Sequence, residues 1–231
     1  MTQAWNTLLF AHWPVSPTLL APHVPPELPL DTFDGEAWIA VTPFVLTDLR
    51  ARAMPRLPAA SAFPEINVRT YVRREDRGGV FFFSLDAGST LAVWGARALY
   101  GLPYHRADFE VTRDCARVRY ACRRRGPVEA RLEVEYGPSG PPALAPVGSL
   151  AAWLTERYCL YTVDVRRRVH RAEIHHAPWP LQPAVADIRI NSMAAASGLR
   201  LPDRAPLLHF VQRLDVHVWL PVRRARNESA R

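Results

Sequence analysis

The sequence predicts an α+β fold: a mostly antiparallel, curved or barrel-like sheet with about three helices packed on it. Three observations carry that expectation. Apolar and polar residues alternate with a period of two over residues 66–73 and 128–136, as in strands with unlike faces. Turn-forming pairs at Gly78-Gly79, Arg113-Asp114 and Gly126-Pro127 separate these runs at hairpin spacing. Helical periodicity is confined to short stretches.

Taken in order, the chain opens with Trp5, Phe10 and Trp13, which need burial. The prolines at 14, 17, 22, 25, 26 and 29 therefore run over a domain surface, around a helical turn at Thr18–Ala21, rather than forming a free linker. Residues 33–36 read as a turn, and Ala37–Phe44 as an apolar strand ended by Pro43. Residues 48–62, with Arg50, Arg52 and Arg56, form a long basic loop of the kind that often serves as a lid.

In the strand Ile66–Arg73, Ile66, Val68, Thr70 and Val72 face one way and Asn67, Arg69, Tyr71 and Arg73 the other. Gly78-Gly79 then makes a hairpin turn into Val80–Leu85, an unbroken apolar run expected to be buried on both faces. Ser89 and Thr90 cap a helix in which Leu91, Trp94, Ala98 and Leu99 recur at helical spacing. Gly101 suits a left-handed C-cap and Pro103 stops the helix from restarting, so Tyr104, His105 and Arg106 start from a fixed point.

Strands at Asp108–Thr112, Arg117–Arg123 and Val128–Tyr136 follow, with Arg117, Arg119 and Arg123 set to pair with glutamates of the neighbouring strand. Residues 137–146 are a turn-rich surface loop, and Ser149 caps a helix through Arg157. Cys159–Asp164 and Val169–His176 form another hairpin. Pro178, Pro180 and Pro183 break the chain before a helical segment around Ser192–Ser197. Leu207–Leu220 closes the fold as a long strand, and residues 223–231 read as a frayed tail of a single domain spanning 1–231.

Composition narrows the function classes. With 48% hydrophobic and 22% charged residues in 231, the chain lies in the globular range, far from disorder. No apolar run approaches the ~18 residues of a membrane span, and no signal-peptide pattern opens the chain. A cytoplasmic protein is expected. Cys115, Cys122 and Cys159 form no CxxC pair and read as reduced thiols. His175 and His176 point to opposite faces of a strand and do not share a metal with His170. No metal or other cofactor is expected. The net charge of +7 favours anions, but the pairing of the densest arginine cluster with glutamates argues against nucleic acid.

Residues 90–106, TLAVWGARALYGLPYHR, resemble the acetoacetate decarboxylase signature, roughly GRE-x-x-G-x-P-K-K. Arg97, Gly101 and Pro103 match it, while Ala96 and Ala98 replace its Gly and Glu. Its two lysines, the first of which forms the Schiff base in that family, fall on Tyr104 and His105. As a whole the chain resembles the uncharacterised YqjF-like bacterial proteins, related in fold to that decarboxylase. The stretches 12–44, 63–72 (FPEINVRTYV) and 208–221 (LHFVQRLDVHVWLP) carry that resemblance together with 90–106. It implies a barrel-like sheet around a central cavity, with a glutamate and an arginine in the cavity.

The basic residues comprise 29 arginines and no lysine. Arginine stays protonated and is a poor nucleophile, so Schiff-base chemistry on a lysine is excluded. The candidate site is then Glu65, Tyr104 and His105 as acid–base groups, with Asn67, Arg69, Trp94, Arg97 and Arg106 binding an anionic small molecule. Alternation places Glu65, Asn67 and Arg69 on one face, which also fits the solvent face of an edge strand. Three function classes follow: a cavity enzyme acting on a small carboxylate or keto acid, a non-catalytic binder or sensor, and a nucleic-acid-associated protein. A homo-oligomer is compatible with the sequence.

Overall fold

The computed structural model describes residues 1–50, 62–90, 93–94, 100–114 and 117–223. Its strands are β1 (Thr2–Val15), β2 (Ala37–Arg50), β3 (Phe63–Arg74), β4 (Arg77–Ala87), β5 (Tyr104–Asp114) and β6 (Arg117–Arg124). They continue as β7 (Arg131–Pro138), β8 (Cys159–Val163), β9 (Val169–His176), β10 (Gln182–Asn191), β11 (Leu207–Val218) and β12 (Val222–Arg223). All belong to one sheet ordered β12-β9-β8-β4-β3-β2-β1-β11-β10-β7-β6-β5, with β9–β11 and β4–β5 also paired. Those two extra pairings close the sheet into two rings. One runs β4-β3-β2-β1-β11-β9-β8; the other runs β4-β3-β2-β1-β11-β10-β7-β6-β5. Most pairs are antiparallel, but β4 pairs in parallel with both β5 and β8.

The shared wall β4-β3-β2-β1-β11 has a ring interior on each side, so both of its faces are apolar. On β1, Leu8 and Phe10 join one core, whereas Leu9, Ala11 and Trp13 join the other. On β3, Ile66 and Val68 go to the second core, and Glu65, Asn67 and Arg69 face the first ring with exposures of only 4, 6 and 7%. The solvent-edge reading of that face is therefore excluded: β3 is a central strand.

The α-helices complete among the described residues are α1 (Pro17–Leu20) and α2 (Leu150–Thr155), two where about three were expected. The segment around Ser192–Ser197 is only a 3-10 turn, Ala195–Ser197. Ser149 caps α2 as predicted, its side chain accepting from the Ala152 N–H at 3.3 Å, but the helix stops short of Arg157. Thr90, Val93, Trp94 and Tyr100 are helical, Val93 N–H donates to Ser89 O at 3.1 Å, and Gly101 has φ +61. The rest of that predicted helix, the 51–61 part of the basic loop and most of the tail lie outside the described residues.

Three further differences have physical causes. Pro43 does not end β2, which continues to Arg50. The β3–β4 hairpin turns at Glu75-Asp76, both at positive φ (52 and 56), not at Gly78-Gly79. Those glycines serve close approach instead. A Cβ on Gly78 would lie 2.2 Å from Arg157 Nη1, and one on Gly79 would lie 2.7 Å from Cys159 Sγ and 2.8 Å from Cys159 O. Finally, the stretch after Pro183 is a strand, β10, whose Ala184, Ala186 and Ile188 pack on the second core. Pro183 sits near its start, where proline is tolerated.

Candidate functional site

A cavity of about 100 Å3 is walled by residues of the first ring and by the segments just after α2 and just before β5. Its size suits a ligand of few atoms, well below the ~300–1,000 Å3 of drug-sized sites. β3 contributes Glu65, Asn67 and Arg69, and β2 contributes Thr42, Phe44 and Leu46, by simple alternation. β1 contributes both Trp5 and Leu8, which differ in parity. An irregularity in the β1–β2 ladder between Asn6 and Ala11, with Thr7 at φ +46, switches the faces. Tyr136 from the second ring donates to Thr7 O at 2.7 Å and pins that irregularity from behind.

Tyr104 opens β5 and its hydroxyl donates to Glu65 Oε2 at 3.1 Å. Burial pushes the Glu65 carboxyl up to about 8; the Tyr104 hydrogen bond opposes that shift and the Asp86 charge adds to it. Near pH 7 Glu65 is thus mostly a neutral acid. Burial and the neighbouring Glu65 also push the Tyr104 phenol well above its ordinary range, so it keeps its proton. The backbone beneath is fixed from the second ring, where Tyr120 Oη shares its one proton between Glu65 O (2.9 Å) and Phe44 O (3.0 Å), cross-strand partners on β3 and β2.

Among the described residues, two guanidinium groups face the same cavity. Arg157 Nη1 donates to Asp31 Oδ2 at 2.6 Å and its Nε to Trp153 O at 2.6 Å, and Asp31 also accepts from Arg73 Nε at 3.1 Å, so the Arg157 and Arg73 guanidinium groups share one carboxylate. Arg69 forms no ion pair among the described residues. Its guanidinium carbon instead lies 5.1 Å from the Phe10 ring centroid and 5.8 Å from that of Tyr71. A buried cation without a counter-ion is costly unless something else compensates it. Unmet hydrogen-bonding capacity concentrates here as well. Among the described residues, six of the ten buried side-chain polar atoms without a partner belong to cavity residues: Trp5, Thr42, Asn67, Arg69, Arg157 and Trp179.

The predicted residues separate into two groups. Glu65, Asn67, Arg69 and Tyr104 line the cavity. His105 is half-buried on the other face of β5 and is not part of the lining, and Arg106 is exposed. Because β5 begins at Tyr104, consecutive side chains alternate instead of fanning out from one turn. Trp94 is 72% exposed, and Arg97 lies outside the described residues. Reasoning on the sequence missed Trp5, Arg157, His176 and Trp179. His176 is 4% exposed and lines the cavity, where burial holds its imidazole below the ordinary range. Among the described residues no group of three His, Cys, Asp or Glu side chains is placed to hold a metal ion.

Residues 2–215 match the family model DUF2071, described as an uncharacterized conserved protein. The chain belongs to this family. Within reach of that DUF2071 assignment, the chain is 46% identical over 224 residues to the "Uncharacterized protein YqjF" of Bacillus subtilis, covering 97% of this chain and 92% of YqjF. Solved structures with the acetoacetate decarboxylase-like fold are similar in shape. The enduracididine biosynthesis enzyme MppR complexed with pyruvate superposes with a TM-score of 0.67 at 13% identity, covering 95% of this chain and 89% of MppR. The acetoacetate decarboxylase of Legionella pneumophila superposes at 0.63 with 15% identity, covering 97% and 87%. At such identities the likeness is one of fold. No helix among the described residues is long and apolar enough to cross a membrane.

Proposed function

We propose that this DUF2071 chain binds a small carboxylate in the first-ring cavity, with keto acids as the ligand class, and acts on it by acid–base chemistry without an imine. The observation that carries this reading is the buried Arg69 guanidinium, which has no ion pair among the described residues and shares a cavity with the Tyr104–Glu65 pair. A carboxylate supplies the missing counter-charge, and charge-assisted bonds are strongest in a partly desolvated space.

At the other end, the ionised fraction of Glu65, which accepts the Tyr104 hydrogen bond, can take the proton from the carbon beside a carbonyl and return it to the carbonyl oxygen, giving the enol. Tyr104 stands where the decarboxylase signature has its imine-forming lysine, and the chain contains no lysine. Proton transfer next to a carbonyl is the chemistry that such a pair retains. The description of MppR as complexed with pyruvate makes pyruvate a reasonable probe.

The test has two parts. Pyruvate should raise the melting temperature more than its isosteric amide does, following ligand linkage, and Arg69→Met should abolish the difference while keeping the apolar stem volume. Equal stabilisation by acid and amide would mean that Arg69 does not bind anions. In D2O, the wild type should speed loss of the pyruvate methyl proton signal, and Tyr104→Phe should not. Anion-selective binding without accelerated exchange would identify a binder or sensor and refute the enzymatic half of the proposal.

A further inference from the structure

Arg69 is held by an unusual set of neighbours, and that set has a second layer. Across β1, β2 and β3, His12 is in register with Ala40, and Ala40 with Arg69. Ala40 is fully buried, and its small side chain leaves room above the sheet between the two. Over it, Tyr71, two residues beyond Arg69 on the same face, meets His12 with Oη and Nε2 2.7 Å apart. His12 stacks on Phe10, with centroids 5.5 Å apart and planes at 21°, and Phe10 carries the Arg69 guanidinium. Tyr71 also lies against Arg157, whose guanidinium carbon is 5.0 Å from its ring centroid.

We infer that Tyr71 and His12 are positioning residues, which hold Arg69 by its π-facing neighbours so that its charge stays available to a ligand carboxylate. The inference rests on the anion-binding reading above and deepens it. A guanidinium buried against a carboxylate would be held in place too, but its charge would be spent. Aromatic faces and a neutral imidazole orient it without neutralising it. His12 can serve this way only while uncharged, and burial together with the Arg69 and His209 charges keeps its imidazole well below the ordinary range. The Tyr71–His12 bond stops the Tyr71 ring from turning, and the ring in turn limits where Arg69 can go. Neither residue lines the cavity, so neither touches the ligand.

The experiment measures affinities of pyruvate and of its amide by titration calorimetry, and reads their ratio. Tyr71→Phe keeps the ring and its cation–π contacts but loses the hydroxyl, and with it the hydrogen bonds to His12 and Arg69. It should lower the acid-over-amide ratio by about tenfold, the worth of one hydrogen-bonded charge contact, with amide affinity unchanged. His12→Leu should do the same. His12→Gln, whose amide can occupy the Nε2 position, should restore the ratio. If Tyr71→Phe fails to fold, the His12→Leu and His12→Gln pair decides alone. Wild-type ratios in Tyr71→Phe and His12→Leu overturn this inference and leave the anion-binding reading intact. Equal loss of acid and amide affinity overturns it too, because that is what a merely structural role produces. A wild type without acid preference removes the anion-binding reading itself, and this inference with it.

Discussion

Replacing Glu65 by Gln should make the protein more stable at neutral and alkaline pH. Glu65 holds its proton up to about 8 in the folded state, whereas an unfolded glutamate loses it near 4.5. Between those values the unfolded chain binds fewer protons than the folded one, so stability falls as pH rises, and levels off above about 8. At ~1.36 kcal/mol per unit, the full span costs about 5 kcal/mol, and about 3 kcal/mol of it is already lost at pH 7. Gln keeps an acceptor oxygen for Tyr104 and does not titrate. The two proteins should coincide below pH 4.5 and diverge through the window. At pH 7 the variant should melt about 6–12 °C higher, given ~2–4 °C per kcal/mol for a chain of this size. The assay is thermal or urea unfolding of both proteins from pH 4 to 9, read as the difference. The buried His12, His176 and His209 also titrate, each lowered by burial, but they are common to both proteins and cancel. Parallel curves, or a variant less stable at every pH, would show that Glu65 is ionised in the fold and refute the acid–base assignment.

Other outcomes follow from single contacts. Asp86→Asn breaks a fully buried fork in which Arg124 Nε and Nη2 each donate at 2.7 Å, and should cost about 3–5 kcal/mol in urea unfolding. Gly79→Ala pushes a methyl to 2.8 Å from a backbone carbonyl that cannot swing away, so it should destabilise by at least about 1–3 kcal/mol, the usual cost of overpacking. Borohydride reduction in the presence of pyruvate should leave no adduct on any internal side chain, because the chain has no lysine; peptide mapping checks it. Cys122 and Cys159 are buried and their thiols are pushed up by burial, so mass spectrometry should find both unlabelled by a thiol reagent in the native state and labelled after unfolding.

Local chemistry alone determined a good deal of this protein. The period-two pattern of β3, the Ser149 cap of α2 and the left-handed glycine at 101 were all legible, because each depends on neighbours within a few residues. So was the face shared by Glu65, Asn67 and Arg69, which alternation dictates whatever the strand packs against. The absence of lysine, and with it of a lysine imine, needed no structure at all. What local pattern could not say is which side of a strand meets water. β3 has no solvent face because the sheet closes twice on the same wall, through β9–β11 and β4–β5. For the same reason β1, apolar on both sides and broken by an irregularity at Thr7, shows little alternation and was read only as residues needing burial. Arg157 and His176 reach the cavity because β8 pairs in parallel with β4, a contact between residues about eighty positions apart. Gly78 and Gly79 look like a turn in one dimension; in three they are the gap through which Arg157 and Cys159 pass. Whether Arg69 met a carboxylate or an aromatic face was likewise decided by tertiary structure, since Phe10 lies on β1, across β2 from Arg69, and only the pairing of those three strands brings the two together.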